Sequence, residues 1–162
     1  GGFRANKLAL YEGGIRMPFI VRWPGRVPAG RVDDRSVLVA PDLLPTLSAL
    51  AGAKLPPTPT LDGLDVSAIW RGGVQAKRGP VFWEYGRNGG DAFKFGPDPS
   101  PTLAVRRDNW KLLINPDGSR PELYDLATDV KEANNLAAVK PETVRDLKQL
   151  VMDWRATWPS KK

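Results

Sequence analysis

The chain has 162 residues, neither cysteine nor histidine, and a net charge of +6 at neutral pH. Without those two residue types it cannot build disulfides, a cysteine nucleophile, a Ser-His-Asp triad or the usual zinc sites. The length is sufficient for one buried core, and the 16 glycines and 16 prolines predict short elements joined by long connections.

The positive charge favours anionic partners in general, but its distribution argues against nucleic acid. The basic residues are scattered, and the aromatic residues lack the interleaving of a platform that stacks single strands. No stretch approaches the roughly 18 apolar residues of a membrane span. The chain begins Gly-Gly-Phe, with no methionine and no signal-peptide pattern, and we therefore expect it to be a piece of a longer polypeptide.

The N-terminal segment combines glycines, charged groups and a terminating proline. Gly13 and Gly14 allow positive φ, so the chain can turn sharply or lie close to a bound group. Pro18 favours an extended backbone before it, which suits entry into a strand. Such a turn predicts an anion site formed by Lys7 and Arg16 at the end of a buried strand. A surface turn with solvated charges is the alternative, and the spacing alone does not decide between them.

The next part of the chain predicts a strand, a short extended piece and a helix. Residues 19–23 are β-branched and aromatic between two prolines, which predicts a largely buried strand, and residues 37–39 are a second extended piece. Residues 42–52 have the pattern of a helix, with Asp42 as its cap and Gly52 at its end. The apolar stripe of this helix, which we predict to be buried, consists of Leu43, Leu47 and Leu50.

A short helix is predicted at residues 66–70. The acidic residues ahead of it, Asp62 and Asp65, are interpreted as turn and cap residues, because their spacing lacks the alternating oxygen ligands of a calcium loop. The long connection at residues 86–101 is rich in Gly, Pro and Asp, and such loops are either functional or mobile.

The second half of the chain predicts an antiparallel sheet. Its strands are expected at residues 81–85, 103–107, 110–114 and 122–126. The Asp108-Asn109 pair between the middle two strands predicts a tight hairpin turn. Pro141 begins a last helix, and its apolar positions, which we expect to cover one side of the sheet, are Val144, Leu147, Val151, Trp154 and Trp158.

Several motifs give the chain a family resemblance. The pattern Arg4-x-x-Lys7-x-x-x-Tyr11-Glu12-Gly13-Gly14-Ile15-Arg16-x-Pro18 resembles a segment of type I sulfatases, the arylsulfatase family of the alkaline phosphatase superfamily. In that family the segment follows the last metal ligands. Four further segments are similar to the C-terminal subdomain of the same family, in order and spacing: residues 104–106, 110–112, 122–126 and 135–136. The resemblance covers nearly the whole chain and implies the C-terminal portion of a sulfatase.

The resemblance assigns one site residue to this chain. In sulfatases the lysine at the position of Lys7 contacts the sulfate group, so Lys7 is the predicted catalytic and substrate-binding residue. The family nucleophile is a formylglycine made within a C/S-x-P-x-R motif, beside calcium held by Asp and Asn. This chain has no such motif, and the metal pair lies upstream in relatives. Calcium and formylglycine are thus implied only for the full-length enzyme, and no cofactor is expected in this chain.

The resemblance also implies partners and a location. The substrate would be a sulfate ester, and the N-terminal part of the same sulfatase would complete the active site. The chain is therefore predicted to be inactive alone. The length and polarity of the long connection, rather than the resemblance, predict that Arg87, Asn88 and Lys94 line the substrate entrance. Many family members are exported, which implies a periplasmic or secreted location.

We predict an α+β fold, with a C-terminal antiparallel sheet of about four strands and a packed C-terminal helix. An N-terminal strand-helix segment would belong to the larger α/β sulfatase domain. The predicted division is residues 1–78, as the C-terminal end of the α/β catalytic domain, and residues 79–162, as the sheet-plus-helix subdomain. Two other functions stay open: a non-catalytic module that binds polyanions such as sulfated glycans, and part of a related phosphonate or phosphate monoester hydrolase.

Overall fold

The structure is a computed structural model, which describes residues 2–55, 60–74, 77–86 and 98–158. The chain divides into two compact units: one contains the residues up to Met17 together with those from Gly79 onward, and the other is Pro18–Arg78. The predicted division at residue 78 concerns the domains of a larger protein and stays a prediction. Arg87, Asn88 and Lys94 lie outside the described residues. Within the described ranges, no helix combines the length and apolar character needed to cross a bilayer.

The first unit is built on a four-stranded antiparallel sheet whose strands follow one another in chain order, as predicted. The strands are β1 (Val81–Glu84), β2 (Leu103–Arg107), β3 (Trp110–Ile114) and β4 (Glu122–Asp125). Asp108, in the turn between β2 and β3, has a φ of 56°, the left-handed conformation that such tight turns require. The register places every second residue of each strand on the same face, so the sheet has two distinct surfaces.

The helix α4 (Pro141–Ala156) covers one face of the sheet, as the apolar spacing predicts. The buried residues of this layer are Leu103, Val105, Leu112, Ile114, Leu123, Leu147 and Val151. Trp154 stacks on Phe82 with 5.0 Å between the ring centroids. Trp158, just beyond the helix, is 52% exposed, so the predicted apolar face weakens at its C-terminal end.

The opposite face of the sheet is covered by the N-terminal segment rather than by a second helix layer. Its buried residues are Ala9, Leu10, Tyr11, Ala104, Leu113, Tyr124 and Leu126. The segment continues into the one-turn helix α1 (Glu12–Ile15). We expected residues 3–18 to lead into a strand; in the structure residues 9–15 instead pack on the second face of the sheet.

The second unit contains α2 (Leu43–Ala51) and α3 (Ser67–Trp70). Gly52 ends α2 with a φ of 66°, as predicted. The prediction of a strand at residues 19–23 is wrong for this structure, because no strand is assigned there or at residues 37–39 among the described residues. An extended segment becomes a strand only beside a hydrogen-bonding neighbour, which the unit does not provide. The Phe19 ring instead packs against Trp70, with 5.6 Å between centroids.

Two predictions about α2 are also wrong. Asp42 makes no side-chain cap to the helix; its carboxylate accepts hydrogen bonds from the backbone N–H groups of Val39 and Leu64, both at 2.9 Å. The helix buries Pro45 and Thr46, whereas Leu43 and Leu47 are 38% and 53% exposed and Leu50 is half-buried. The hydroxyl of Thr46 accepts a hydrogen bond from the N–H of Val66, at 2.9 Å, so a polar contact fixes the buried side of α2.

Candidate functional site

Lys7 lies on a loop, residues 4–9, which we call the Lys7 loop and in which Asn6 and Lys7 are exposed. Ala5 and Leu8 lie close to Lys7 on either side and have positive φ angles of 56° and 81°. Residues with side chains adopt this backbone only where the surroundings impose it. The N–H of Ala9 donates to the carbonyl of Asn6 at 3.2 Å, which closes the turn. The loop therefore has one defined shape, with the Lys7 side chain in solvent.

The two glycines of α1 allow the Lys7 loop to lie close to the helix. Neither has a positive φ, contrary to the conformational use that the sequence suggested. A Cβ at Gly13 would stand 2.2 Å from the carbonyl oxygen of Arg4, and one at Gly14 would stand 2.0 Å from that of Ala9. The glycines thus approach the protein's own backbone, and the Lys7 loop packs directly on α1.

Arg4 fixes the first end of the loop. Its guanidinium donates to Asp98 (3.0 Å from Nη2 to Oδ1), to the hydroxyl of Tyr124 (2.8 Å) and to the backbone carbonyl of Glu132 (3.2 Å). It also lies 3.8 Å from the centroid of the Tyr11 ring. The hydrogen bond to Asp98 raises the pKa of Arg4 further, and the same bond lowers the pKa of the Asp98 carboxyl. Both groups therefore stay charged at neutral pH.

The segment after the loop is held by further polar contacts on the sheet. The N–H of Leu10 donates to the hydroxyl of Ser100 at 2.8 Å. The hydroxyls of Tyr11 and Tyr124 donate to the same oxygen of Glu122, at 2.7 and 2.9 Å. Burial, together with the neighbouring Glu122 carboxylate, raises the pKa of both tyrosines, so they remain neutral donors.

A buried ion triad joins α1 to the sheet. The ammonium of Lys111, on β3, lies 2.9 Å from Oε1 of Glu12 and 2.8 Å from Oε1 of Glu132. The side chains of Lys111 and Glu132 are 0% exposed. The second carboxylate oxygen of Glu132 accepts a hydrogen bond from the N–H of Glu12 at 2.6 Å. Burial raises the pKa of Glu132, and the nearby Lys111 ammonium opposes that shift.

Sequence analysis did not find this triad. Lys111 and Glu12 appeared there only as members of two separate family motifs. One signal was available: Lys111 interrupts the otherwise apolar strand Trp110–Ile114, and a lysine in such a strand needs a buried counter-charge. Its partners lie 99 and 21 positions away in the chain, so spacing could not identify them.

The predicted pairing of Lys7 with Arg16 around an anion stays a prediction. Arg16 has other neighbours: its guanidinium lies 3.7 Å from Glu12 and 4.9 Å from the centroid of the Phe3 ring. Among the residues that the structure describes, none forms a hydrogen bond or ion pair with the Lys7 ammonium. Lys7 is thus the cation of the loop that is available for an external anion.

The described residues do not fit a calcium site. No group of three or more acidic side chains within those ranges is arranged to hold a metal ion. Asp65 has a local role instead, since its carboxylate accepts a hydrogen bond from the N–H of Ser67 at the start of α3, at 2.8 Å. We therefore derive no chemical step that passes through a metal in this chain.

Comparison with known proteins places the chain among sulfatases. A family model described as N-sulphoglucosamine sulphohydrolase, C-terminal, matches residues 3–156. Arylsulfatase A of Homo sapiens is 34% identical over 176 residues, covering 93% of this chain and 32% of that protein. An N-acetylgalactosamine-6-O-sulfatase of Bacteroides thetaiotaomicron is 28% identical and covers 93% of this chain and 29% of its own length.

Solved structures show the same fold. The crystal structure of Ps i-CgsB superposes with a TM-score of 0.74 at 27% identity, covering 98% of this chain and 32% of that one. A protein studied in the metabolism of multiple glycosaminoglycans by Bacteroides thetaiotaomicron gives a TM-score of 0.72 at 26% identity, covering 96% and 32%. The chain spans about a third of the length of these relatives. The resemblance found in the motifs is confirmed: the chain belongs to the sulfatases, in the family of N-sulphoglucosamine sulphohydrolase C-terminal domains.

Proposed function

We propose that this chain forms the C-terminal part of an enzyme that hydrolyses sulfate esters, and that Lys7 contacts the sulfate group. The observation that carries the proposal is the exposed Lys7 ammonium on a loop that lies between two contacts with the sheet, from Arg4 to Tyr124 and from Glu12 to Lys111. A flexible surface lysine would not need left-handed residues close on either side or two glycines beneath it. Such a cation can offset the negative charge on sulfate oxygens as the ester bond breaks.

The rest of the chemistry is assigned to the larger sulfatase. We propose that formylglycine and calcium are supplied there, since the sequence has no modification motif and the residues that the structure describes hold no fitting set of ligands. Formylglycine, when present, supplies the nucleophile. The contribution of this chain is a positioned cation, together with the layer of residues that holds it. A periplasmic or secreted location is part of the same proposal.

The role of Lys7 is tested by Lys7→Ala in the complete sulfatase. Loss of one positioned charge donor lowers turnover by about 100-fold in comparable sites, and we expect a fall of that order in kcat on an aryl sulfate. Lys54→Ala, at another exposed lysine, is the matched control and should leave kcat unchanged. An unchanged rate for Lys7→Ala would remove the site assignment.

The inactivity of the chain by itself is tested with the purified 162-residue protein. Incubated with an aryl sulfate and calcium, it should show no hydrolysis above the buffer rate, because it has no nucleophile for the ester. Turnover clearly above that rate would contradict the proposal. Salt-sensitive binding of a sulfated polysaccharide, lost in Lys7→Ala, would instead favour the alternative of a polyanion-binding module.

A further inference from the structure

We propose that Lys111 is a positioning residue for Lys7. Its buried ammonium fixes α1 through Glu12 and Glu132, and α1 in turn fixes the Lys7 loop, so that the Lys7 ammonium stands at a constant place relative to the sulfate. This inference rests on the proposed role of Lys7. It adds that the C-terminal sheet determines the geometry of that contact.

Glu132 contacts both ends of the segment that carries Lys7. Its backbone carbonyl accepts a hydrogen bond from Arg4 at 3.2 Å, and its carboxylate accepts one from the N–H of Glu12 at 2.6 Å. Lys7 lies between these two anchors in the chain. One residue of the sheet unit therefore holds both Arg4, where the loop begins, and Glu12, the first residue of α1.

Lys111 is required for the carboxylates of Glu12 and Glu132 to lie close together in a buried site. Its ammonium stands between their carboxylates at 2.9 and 2.8 Å, with no exposure to solvent. Without it, two carboxylates would face each other in a buried site, and repulsion would either protonate one of them or push them apart. Arg16 lies 3.7 Å from Glu12 on the exposed side, so it can offset the charge of Glu12 but does not take the place of Lys111 beside the Glu132 carboxylate.

A movement of α1 has to move the Lys7 loop. The N–H of Gly13 donates to the carbonyl of Arg4 at 3.0 Å. The Cα of Gly14 packs so closely on the loop that even a methyl group there would overlap the carbonyl oxygens of Ala9 and Asn6. Two backbones in such contact move together, since packed protein interiors leave no void to absorb a shift. Catalysis is sensitive to displacements of about 1 Å in a positioned charge.

The test is a pair of variants, Lys111→Met and Glu132→Gln, each made in the complete sulfatase with Lys7 present and with Lys7→Ala. With Lys7 present, we expect kcat/KM on an aryl sulfate to fall about tenfold for Lys111→Met and about threefold for Glu132→Gln. In the Lys7→Ala background both variants should change kcat/KM by less than about twofold, because the residue they position is already gone. Lys148→Met, at an exposed lysine of α4, should have no effect in either background.

The same coupling can be measured in the 162-residue chain by amide hydrogen exchange. The N–H of Ala9, bonded to Asn6, should exchange faster in Glu132→Gln than in Lys148→Met, because the ion pair between Glu132 and Lys111 is lost and the hold on α1 weakens. This measurement decides the matter if Lys111→Met does not fold.

Each outcome bears on one proposal. Equal losses of kcat/KM with and without Lys7 would show a general structural effect and overturn the positioning role. If Lys7→Ala impairs the enzyme but kcat/KM is unchanged in both triad variants, the positioning role is also overturned. The same holds if Lys7→Ala impairs the enzyme but the exchange rate of Ala9 is unchanged. An unimpaired Lys7→Ala would overturn the proposed function itself.

Discussion

At the scale of single residues, Gly14 limits what can stand between α1 and the Lys7 loop. A Cβ there would meet the carbonyl oxygens of Ala9 at 2.0 Å and Asn6 at 2.7 Å. Both obstacles are backbone atoms, so no side chain can rotate out of the way. The site is therefore closed to every residue except glycine.

We expect Gly14→Ala to lower the free energy of unfolding by about 1–3 kcal/mol, the usual cost of adding a methyl group to a packed site. Gly79→Ala is the matched control, because a Cβ at Gly79 would meet nothing within 4 Å. Its effect should stay within about 0.5 kcal/mol. Urea unfolding of the 162-residue chain measures both. Equal midpoints for the two variants would contradict the close packing of the loop on α1.

The residues of the site differ in how far the sequence could identify them. Lys7 could be predicted, and stays a prediction, because it lies in a local motif, residues 4–18, that resembles a segment of the family. The ion triad was missed because Lys111, Glu12 and Glu132 meet only after the chain has folded back on itself. The usable signal was physical rather than positional: a lysine in an apolar strand must be paired once it is buried.

At the scale of elements, Asp42 joins the parts of the second unit. Its carboxylate forms two hydrogen bonds with the guanidinium of Arg78, at 2.9 and 3.1 Å, in addition to those from Val39 and Leu64. Burial alone would raise the pKa of this carboxyl, but the three hydrogen-bonding partners outweigh it and the pKa lies below 3.8. The unfolded chain then binds a proton at a higher pH than the folded chain does.

Because the pKa of Asp42 is lower in the folded chain than in the unfolded chain, the free energy of unfolding should fall at acid pH. The stabilisation by the Asp42 carboxylate is complete above its ordinary pKa of 3.8 and is lost as the pH falls through the lower, folded value. Asp42→Asn should therefore weaken the loss of stability at acid pH and cost about 1.5–3 kcal/mol at neutral pH, the range for hydrogen bonds to a charged group. Asp34→Asn, at an exposed carboxylate, is the control.

Urea unfolding of both variants and of the unchanged chain, between about pH 3 and pH 7, checks this expectation. Asp33, Asp98 and Asp117 also have lowered pKa values, and they are present in all three proteins. The difference between curves thus isolates Asp42. Parallel curves for Asp42→Asn and the unchanged chain would show that the carboxylate has no such role.

Helices and strands could be predicted from the sequence where the pattern that indicates them lies within a few consecutive residues. The hairpin of β2 and β3 follows from two short apolar runs on either side of turn residues, and the helix α4 follows from a period-3.6 pattern that begins at Pro141. Residues 19–23 carry a strand-like composition, yet a strand exists only with a neighbour, and composition does not show whether one is present. The covering of the second sheet face by residues 9–15 is likewise a long-range arrangement that no local pattern encodes.

At the scale of the whole molecule, the chain corresponds to one part of its longer relatives. It spans about a third of the length of its sulfatase relatives. It also exposes apolar residues on α2, where Leu43, Leu44 and Leu47 are 38%, 56% and 53% accessible. Their spacing places them close together on the helix surface. We propose that the N-terminal part of the sulfatase covers them.

Exposed clusters of this kind associate in water when their natural cover is missing. We expect the 162-residue chain to self-associate as its concentration rises, and the double variant Leu44→Gln/Leu47→Gln to do so less. Val139→Gln, at an isolated exposed residue of the other unit, should behave like the unchanged chain. Light scattering across a concentration series measures all three. A clean monomer at high concentration would mean that the leucines of α2 tolerate solvent, and the argument for a covering partner at this surface would fall.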